Sequence, residues 1–161
     1  MNAAFRKLVP TAALAVALAA CAGTDELSRL QPPGYIADAQ QLVARADWSA
    51  PEVVTVAISD YAFTPNELTF HRDRPARLVL KNTSDTDHTF VSKGFFQAIA
   101  VERVAGPEGE KSGPYVEKIV IPAGQTKELW FIPGRYGAWT FECTRPGHAL
   151  LGMTGVVNVV K

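Results

Sequence analysis

The chain predicts an all-β sandwich, and three observations predict it. Short runs rich in Val, Ile, Thr and Phe recur from Glu52 to the C-terminus. Turn signals separate them, at Phe63-Thr64-Pro65-Asn66, Pro122-Ala123-Gly124-Gln125, Pro133-Gly134 and Pro146-Gly147. Many short strands punctuated by Gly and Pro build sandwiches rather than helical or α/β folds. The length, 161 residues without repeats or low-complexity runs, suits one domain and a short tether.

Residues 1–20 read as a bacterial export signal. Arg6 and Lys7 form its positive start, and Leu8 to Ala20 is an apolar run of 13 residues interrupted by Pro10. About 20 residues are needed to span a bilayer, so this run fits a signal core instead. It ends in Leu18-Ala19-Ala20-Cys21, which resembles the lipobox of bacterial lipoproteins. An ordinary leader cleaved at Ala17-Leu18-Ala19 or Ala20-Cys21-Ala22 is the alternative. A lipidated Cys21 carries two or three acyl chains, enough for stable anchoring. The expectation is therefore a periplasmic domain tethered to a membrane. Ala22 after the cysteine favours the outer membrane, by resemblance to enterobacterial sorting.

Residues 21–51 are expected to be the lipid-anchored tether. Gln31-Pro32-Pro33-Gly34 breaks the chain, and Ile36 to Trp48 suits a short amphipathic helix with Ile36, Ala39, Val43 and Ala46 on one side. Residues 52–161 form the domain. Strands are expected at Val53–Ile58, from Leu68, at Arg77–Asn82, Thr86–Val91, Val116–Ile121, Thr126–Ile132, Ala138–Cys143 and Thr154–Val160. Lys93 to Pro114 interrupts the pattern. Phe95 to Val101 suits a short helical insertion, and Ala105 to Pro114 an exposed loop.

The informative stretch is Phe141 to Val157, F-E-C-T-R-P-G-H-A-L-L-G-M-T-G-V-V. Cys143, His148 and Met153 lie in it at Cys-x4-His-x4-Met spacing, and His88 lies upstream in D-H-T-F. One thiolate, two imidazoles and one thioether are the ligand set of a blue copper site, a His2Cys plane with a weak axial Met. Thiolate and thioether stabilise Cu(I), and imidazole suits both oxidation states. Phe141 and Cys143 share a strand face. Pro146-Gly147 turns the chain before His148, and Gly152 bends it again before Met153. A lone Cys, Met or His is ordinarily core or surface. Beyond the leader, however, Met153 is the only methionine, and Cys143 is the only cysteine besides Cys21. A thiol without a partner in an oxidising compartment is a liability unless a metal occupies it.

The segment C-T-R-P-G-H-A-L-L-G-M-T-G resembles the ligand loop of the cupredoxins, the small blue copper proteins, and its two x4 gaps are most similar to rusticyanin-type members. The resemblance takes in D-Y-A-F-T-P-N-E-L-T-F and L-K-N-T-S-D-T-D-H-T-F and covers Glu52 to Lys161. It implies a Greek-key β-sandwich, one type 1 copper ion on His88, Cys143, His148 and Met153, and electron transfer. It also implies that the edge of His148 nears the surface within an apolar patch, here Pro146, Ala149, Leu150 and Leu151. Redox partner proteins, a cytochrome or an oxidase, would dock there. A backbone N–H near Asp87 or Thr89 is expected to reach the Cys143 sulfur.

Charge narrows the alternatives. Removing Arg6 and Lys7 from 16 basic residues leaves 14 against 16 acidic ones. A chain near −2 lacks the broad basic footprint of a nucleic-acid binder. A monomeric electron carrier that is not an enzyme is the expected function. Copper delivery or storage for a respiratory oxidase is the alternative. Copper enzymes of this fold need further histidines, and the only spare one is His71, expected at a surface turn.

Overall fold

A computed structural model describes residues 32–161. The leader and Cys21 lie outside the described residues. Eleven strands and two short helices are present among them: α1 Ala39–Arg45, β1 Glu52–Ser59, β2 Ala62–Thr64, β3 Glu67–His71, β4 Ala76–Asn82, β5 His88–Phe90, α2 Lys93–Gln97, β6 Ile99–Gly106, β7 Gly109–Ser112, β8 Ile119–Ile121, β9 Thr126–Pro133, β10 Gly137–Glu142 and β11 Thr154–Val160. None of these helices is long and apolar enough to cross a membrane.

The strands form a six-stranded sheet ordered β2-β1-β4-β9-β6-β7, a three-stranded sheet β10-β11-β3 and a β5-β8 pair. Alternation decides which side chains meet. Val56 and Ile58 of β1, Leu78 and Leu80 of β4, and Leu129 and Phe131 of β9 point inward from the large sheet. Leu68 and Phe70 of β3, Phe141 of β10 and Val157 of β11 answer from the small one. Six phenylalanines, at 70, 90, 95, 96, 131 and 141, are fully buried. Each contributes about 1.5–3 kcal/mol of burial free energy. The rings interlock: Phe90 stacks on Phe141 at 4.6 Å, and Phe63 meets Phe141 edge-on at 5.0 Å. Gly155 of β11 leaves room for this, since a Cβ there would lie 2.3 Å from the Phe141 ring and 2.2 Å from the Asn66 carbonyl.

Three segments differ from expectation. Lys93 to Pro114 opens with the expected short helix, but the rest of it is mostly sheet rather than a loop. The helix stops at Gln97, β6 pairs with β9, and β7 folds back on β6 around Pro107-Glu108. A register shift between Val101 and Arg103 breaks the alternation of β6. That bulge hides the strand from a period-2 reading. The strand expected over Val116–Ile121 is only Ile119–Ile121. In the segment read as tether, the helix is shorter than Ile36–Trp48, yet its apolar side packs on the sandwich. Ile36 and Ala39 are buried with Ala100 and Ile132, and Trp48 lies 6.1 Å from Trp130.

This topology gathers the site. Strands β1 and β4 run parallel with Ile58 beside Asn82. The β1–β2 turn and the β4–β5 connection therefore leave the large sheet at the same end. Glu142 pairs with Thr154, so residues 143–153 form the loop joining β10 to β11. A bridge between Val91 and Glu142 holds β5 against β10.

Candidate metal centre

The loop between β10 and β11 is closed by its own backbone. The Met153 carbonyl accepts from the Cys143 N–H at 3.1 Å, and the His148 carbonyl accepts from the Met153 N–H at 3.0 Å. Gly152 takes a φ of 99°, a left-handed conformation that glycine adopts without the Cβ penalty. Cys143 and Met153 thereby turn into the core, each fully buried, while His148 stays half-buried. From β5, His88 points into the same space and is also fully buried.

The four donors converge. Cys143 Sγ lies 3.8 Å from both His88 Nδ1 and His148 Nδ1, and His148 Nδ1 lies 3.4 Å from Met153 Sδ. The ligating atoms of His88, Cys143 and His148 all fall within 4.8 Å of one another. A trigonal site with metal–sulfur and metal–nitrogen bonds of about 2.3 and 2.05 Å separates its sulfur and nitrogens by about 3.8 Å. The donor spacing therefore fits a metal ion, and a single thiolate with a thioether points to copper over zinc.

The proton on His88 can be placed from its neighbours. Asn82 is buried, and its Nδ2 donates to the carbonyls of Thr86 at 2.7 Å and of Ile121 and Pro122 at 3.0 Å. Its Oδ1 is thus the end that accepts from the Ser84 hydroxyl at 2.9 Å. The one hydrogen of Ser84 Oγ points to Asn82 Oδ1 or to the Thr86 carbonyl 3.1 Å away, so toward His88 Nε2, 2.9 Å away, the hydroxyl accepts. Thr86 Oγ1 lies 3.3 Å from the same nitrogen and donates to Asp60 at 3.3 Å. Nε2 therefore carries the hydrogen, and Nδ1 keeps a bare lone pair facing the thiol. Burial, with a smaller contribution from His148, holds the His88 imidazole below its ordinary pKa. The neutral form is the one that binds metal.

The thiol is prepared in the same way. The Thr89 N–H donates to Cys143 Sγ at 3.5 Å, as expected from sequence, and Thr89 Oγ1 lies 3.7 Å from it. The same hydroxyl accepts from the Thr144 N–H at 2.7 Å, latching β5 to the loop. Such outer contacts orient ligands and tune a metal. Arg145 adds a second latch by donating to the Asp87 carbonyl at 2.6 Å.

Around His148 the expected apolar residues are exposed, Leu150 at 92% and Leu151 at 61%. Tyr61, which the sequence did not single out, completes the patch with its ring 5.0 Å from that of His148. His71 lies elsewhere, half-buried and paired with Glu52 at 3.1 Å.

Comparison with known proteins agrees with this geometry. The profile of the cupredoxin-like domain matches residues 12–153. This chain belongs to the cupredoxin-like family. It is 31% identical over 113 residues to the copper-resistant cuproprotein CopI of Rubrivivax gelatinosus, covering 68% of this chain and 67% of that one. Among solved structures, it is similar to reduced auracyanin from Roseiflexus castenholzii, with a TM-score of 0.50, 19% identity, and 70% of this chain and 100% of that one covered. A copper nitrite reductase from Nitrosomonas europaea has a TM-score of 0.51 and 15% identity, with 73% of this chain and 52% of that chain covered. Those two likenesses concern the fold. The cupredoxin site of His88, Cys143, His148 and Met153 fits one type 1 copper ion. Fold and donor set together support a copper-binding protein of the electron-transfer type.

Proposed function

We propose that the protein is a blue copper electron carrier, not an enzyme, held in the periplasm by a lipid on Cys21. One observation carries the electron-transfer reading. His88, Cys143 and Met153 are sealed from solvent, and His148 alone among the four ligands is part-exposed, among Tyr61, Leu150 and Leu151. Copper bound there supplies a one-electron Cu(II)/Cu(I) couple. The chain's own residues do the rest. Ser84 and Thr86 hold His88 in one tautomer, Thr89 donates to the Cys143 sulfur, and Phe141, Phe90 and Phe63 wall the interior. A site held this firmly rearranges little when an electron moves.

The partner is a cytochrome or an oxidase that docks on the apolar patch. Contacts of this kind are small and short-lived. The lipid anchor rests on the leader and on Leu18-Ala19-Ala20-Cys21, with the outer membrane as destination. A second copper site would need more histidines than His71, which is engaged with Glu52. A second reading is copper handling, favoured by the likeness to a protein named for copper resistance.

Visible absorption and EPR of the purified chain titrated with Cu(II) test this reading. An intense blue or green band at one copper per chain, bleached reversibly by mild reductant and lost in Cys143→Ser, is expected. A coloured Cys143→Ser protein would overturn the ligand assignment. Copper given up readily to a weak chelator would move the reading to copper handling.

A further inference from the structure

The β1–β2 turn, Asp60-Tyr61, touches both histidines of the site. From one side, Asp60 Oδ1 lies 3.5 Å from His88 Nε2 and accepts from Thr86 Oγ1 at 3.3 Å. On the other, the Tyr61 ring packs on His148 with centroids 5.0 Å apart and planes tilted by 57°. The turn is built at a cost. Tyr61 has a φ of 62°, in the left-handed region where a two-residue hairpin loop ordinarily places Gly or Asn. Strain of this kind persists where the surroundings over-determine it, and such positions cluster at functional sites. Here the strained residue fixes the turn on His148, and the residue before it presents a carboxylate to His88.

A carboxylate beside the outer nitrogen of a metal-bound imidazole makes the ligand more basic, and its negative charge favours the more highly charged metal. Ser84 and Thr86 give His88 neutral acceptors; Asp60 adds a negative charge, opposed by the Arg145 guanidinium from the β10–β11 loop. We propose that Asp60 is a positioning and tuning group of the metal centre, held in place by the packing of Tyr61: it helps fix the proton on His88 Nε2 and biases the centre toward Cu(II). The inference rests on the copper reading and goes beyond it by assigning the redox bias to one carboxylate on an edge turn.

Asp60→Asn tests it, because the amide keeps an oxygen for Thr86 and His88 and removes only the charge. Redox titration of the copper-loaded full chain is expected to shift the Cu(II)/Cu(I) equilibrium about tenfold toward Cu(I), about 59 mV upward for one electron. Asp85→Asn, an exposed neighbour in the β4–β5 connection, is the control and is expected to give less than half that shift. An unchanged potential in Asp60→Asn, or equal shifts in the two variants, would overturn the proposal. Nitrogen-15 NMR of the copper-free chain gives a second readout. His88 is expected as the Nε2–H tautomer, with its resonances displaced in Asp60→Asn and those of His71 unmoved. An Nδ1–H tautomer, or no displacement, would also overturn it. A wild-type chain that takes up no copper defeats the copper reading itself, while the NMR result still decides whether Asp60 governs His88.

Discussion

Asn82 and Lys127 face inward from neighbouring strands of the large sheet, and both are nearly sealed from water, at 1% and 5% exposure. Their surroundings differ. The Asn82 amide gives its hydrogens to three carbonyls and its oxygen accepts from Ser84 twice, through N–H and hydroxyl. Lys127 has Glu108, at the tip of the β6–β7 hairpin, as its partner, and that carboxylate is 48% exposed. One buried polar group is the hub that orients a metal ligand. The other is a charge drawn under a hairpin, and burial holds its pKa below the ordinary lysine value. Burying a polar group is tolerated where every hydrogen bond is made and costly where it is not. The sandwich satisfies that rule fully at the end where chemistry is expected.

Breaking the hub is the largest perturbation this contrast predicts. Asn82→Ala removes the donors to the Thr86, Ile121 and Pro122 carbonyls and frees the Ser84 hydroxyl to rotate. A loss of about 2–3 kcal/mol is expected in urea unfolding of the copper-free protein. His88 should then lose its single tautomer and copper affinity should fall. Full stability in this variant would mean that water replaces the amide.

Lys127→Met should do the opposite. Replacing buried charge by apolar side chains is often neutral or stabilising provided no partner is left buried and unpaired; Glu108 is 48% exposed and stays in water when Lys127 goes, so a gain of about 1 kcal/mol is expected. The sign of the pH dependence follows from the lowered lysine pKa. Between the folded value and 10.5 the unfolded chain binds more protons, so wild-type stability contains a contribution that rises with pH through that window. Lys127→Met should remove that contribution. A destabilised variant with the rise intact would show that the Glu108 pair outweighs the burial.

The smallest effect on stability concerns the other edge of the site. Tyr61→Gly relieves a left-handed conformation and loses a ring contact, and Gly adds freedom to the unfolded chain. These terms nearly cancel, so the unfolding free energy should change by less than about 0.5 kcal/mol. Copper release to a chelator should nevertheless quicken, because His148 loses its cover. A large drop in stability with unchanged release would make Tyr61 a packing residue only.

Legibility in the sequence followed distance along the chain. Cys143, His148 and Met153 were readable because they share one loop and because a lone thiol beside a lone thioether is rare. His88 was readable from ligand chemistry, as the imidazole that completes the set. The hub was not. Asn82 acts on carbonyls 39 and 40 residues away, and an asparagine at a strand end otherwise reads as turn chemistry. Tyr61 meets His148 only because β1 and the β10–β11 loop finish at the same end of the sandwich. The β6–β7 hairpin escaped for a local reason. Its bulge at Val101 breaks the alternation, and Gly106-Pro107-Glu108-Gly109 has the composition of a loop while serving as a tight turn.

The sequence by itself determined the strand-rich class, the four metal donors and the turns that bring three of them together. Each is a matter of residue type and short spacing, which local backbone chemistry converts directly into geometry. Tertiary structure alone decided which nitrogen of His88 carries the proton, which side chains hold it and what covers His148. Those are contacts between strands distant in the chain, and only the register of the assembled sheets brings them within hydrogen-bonding reach.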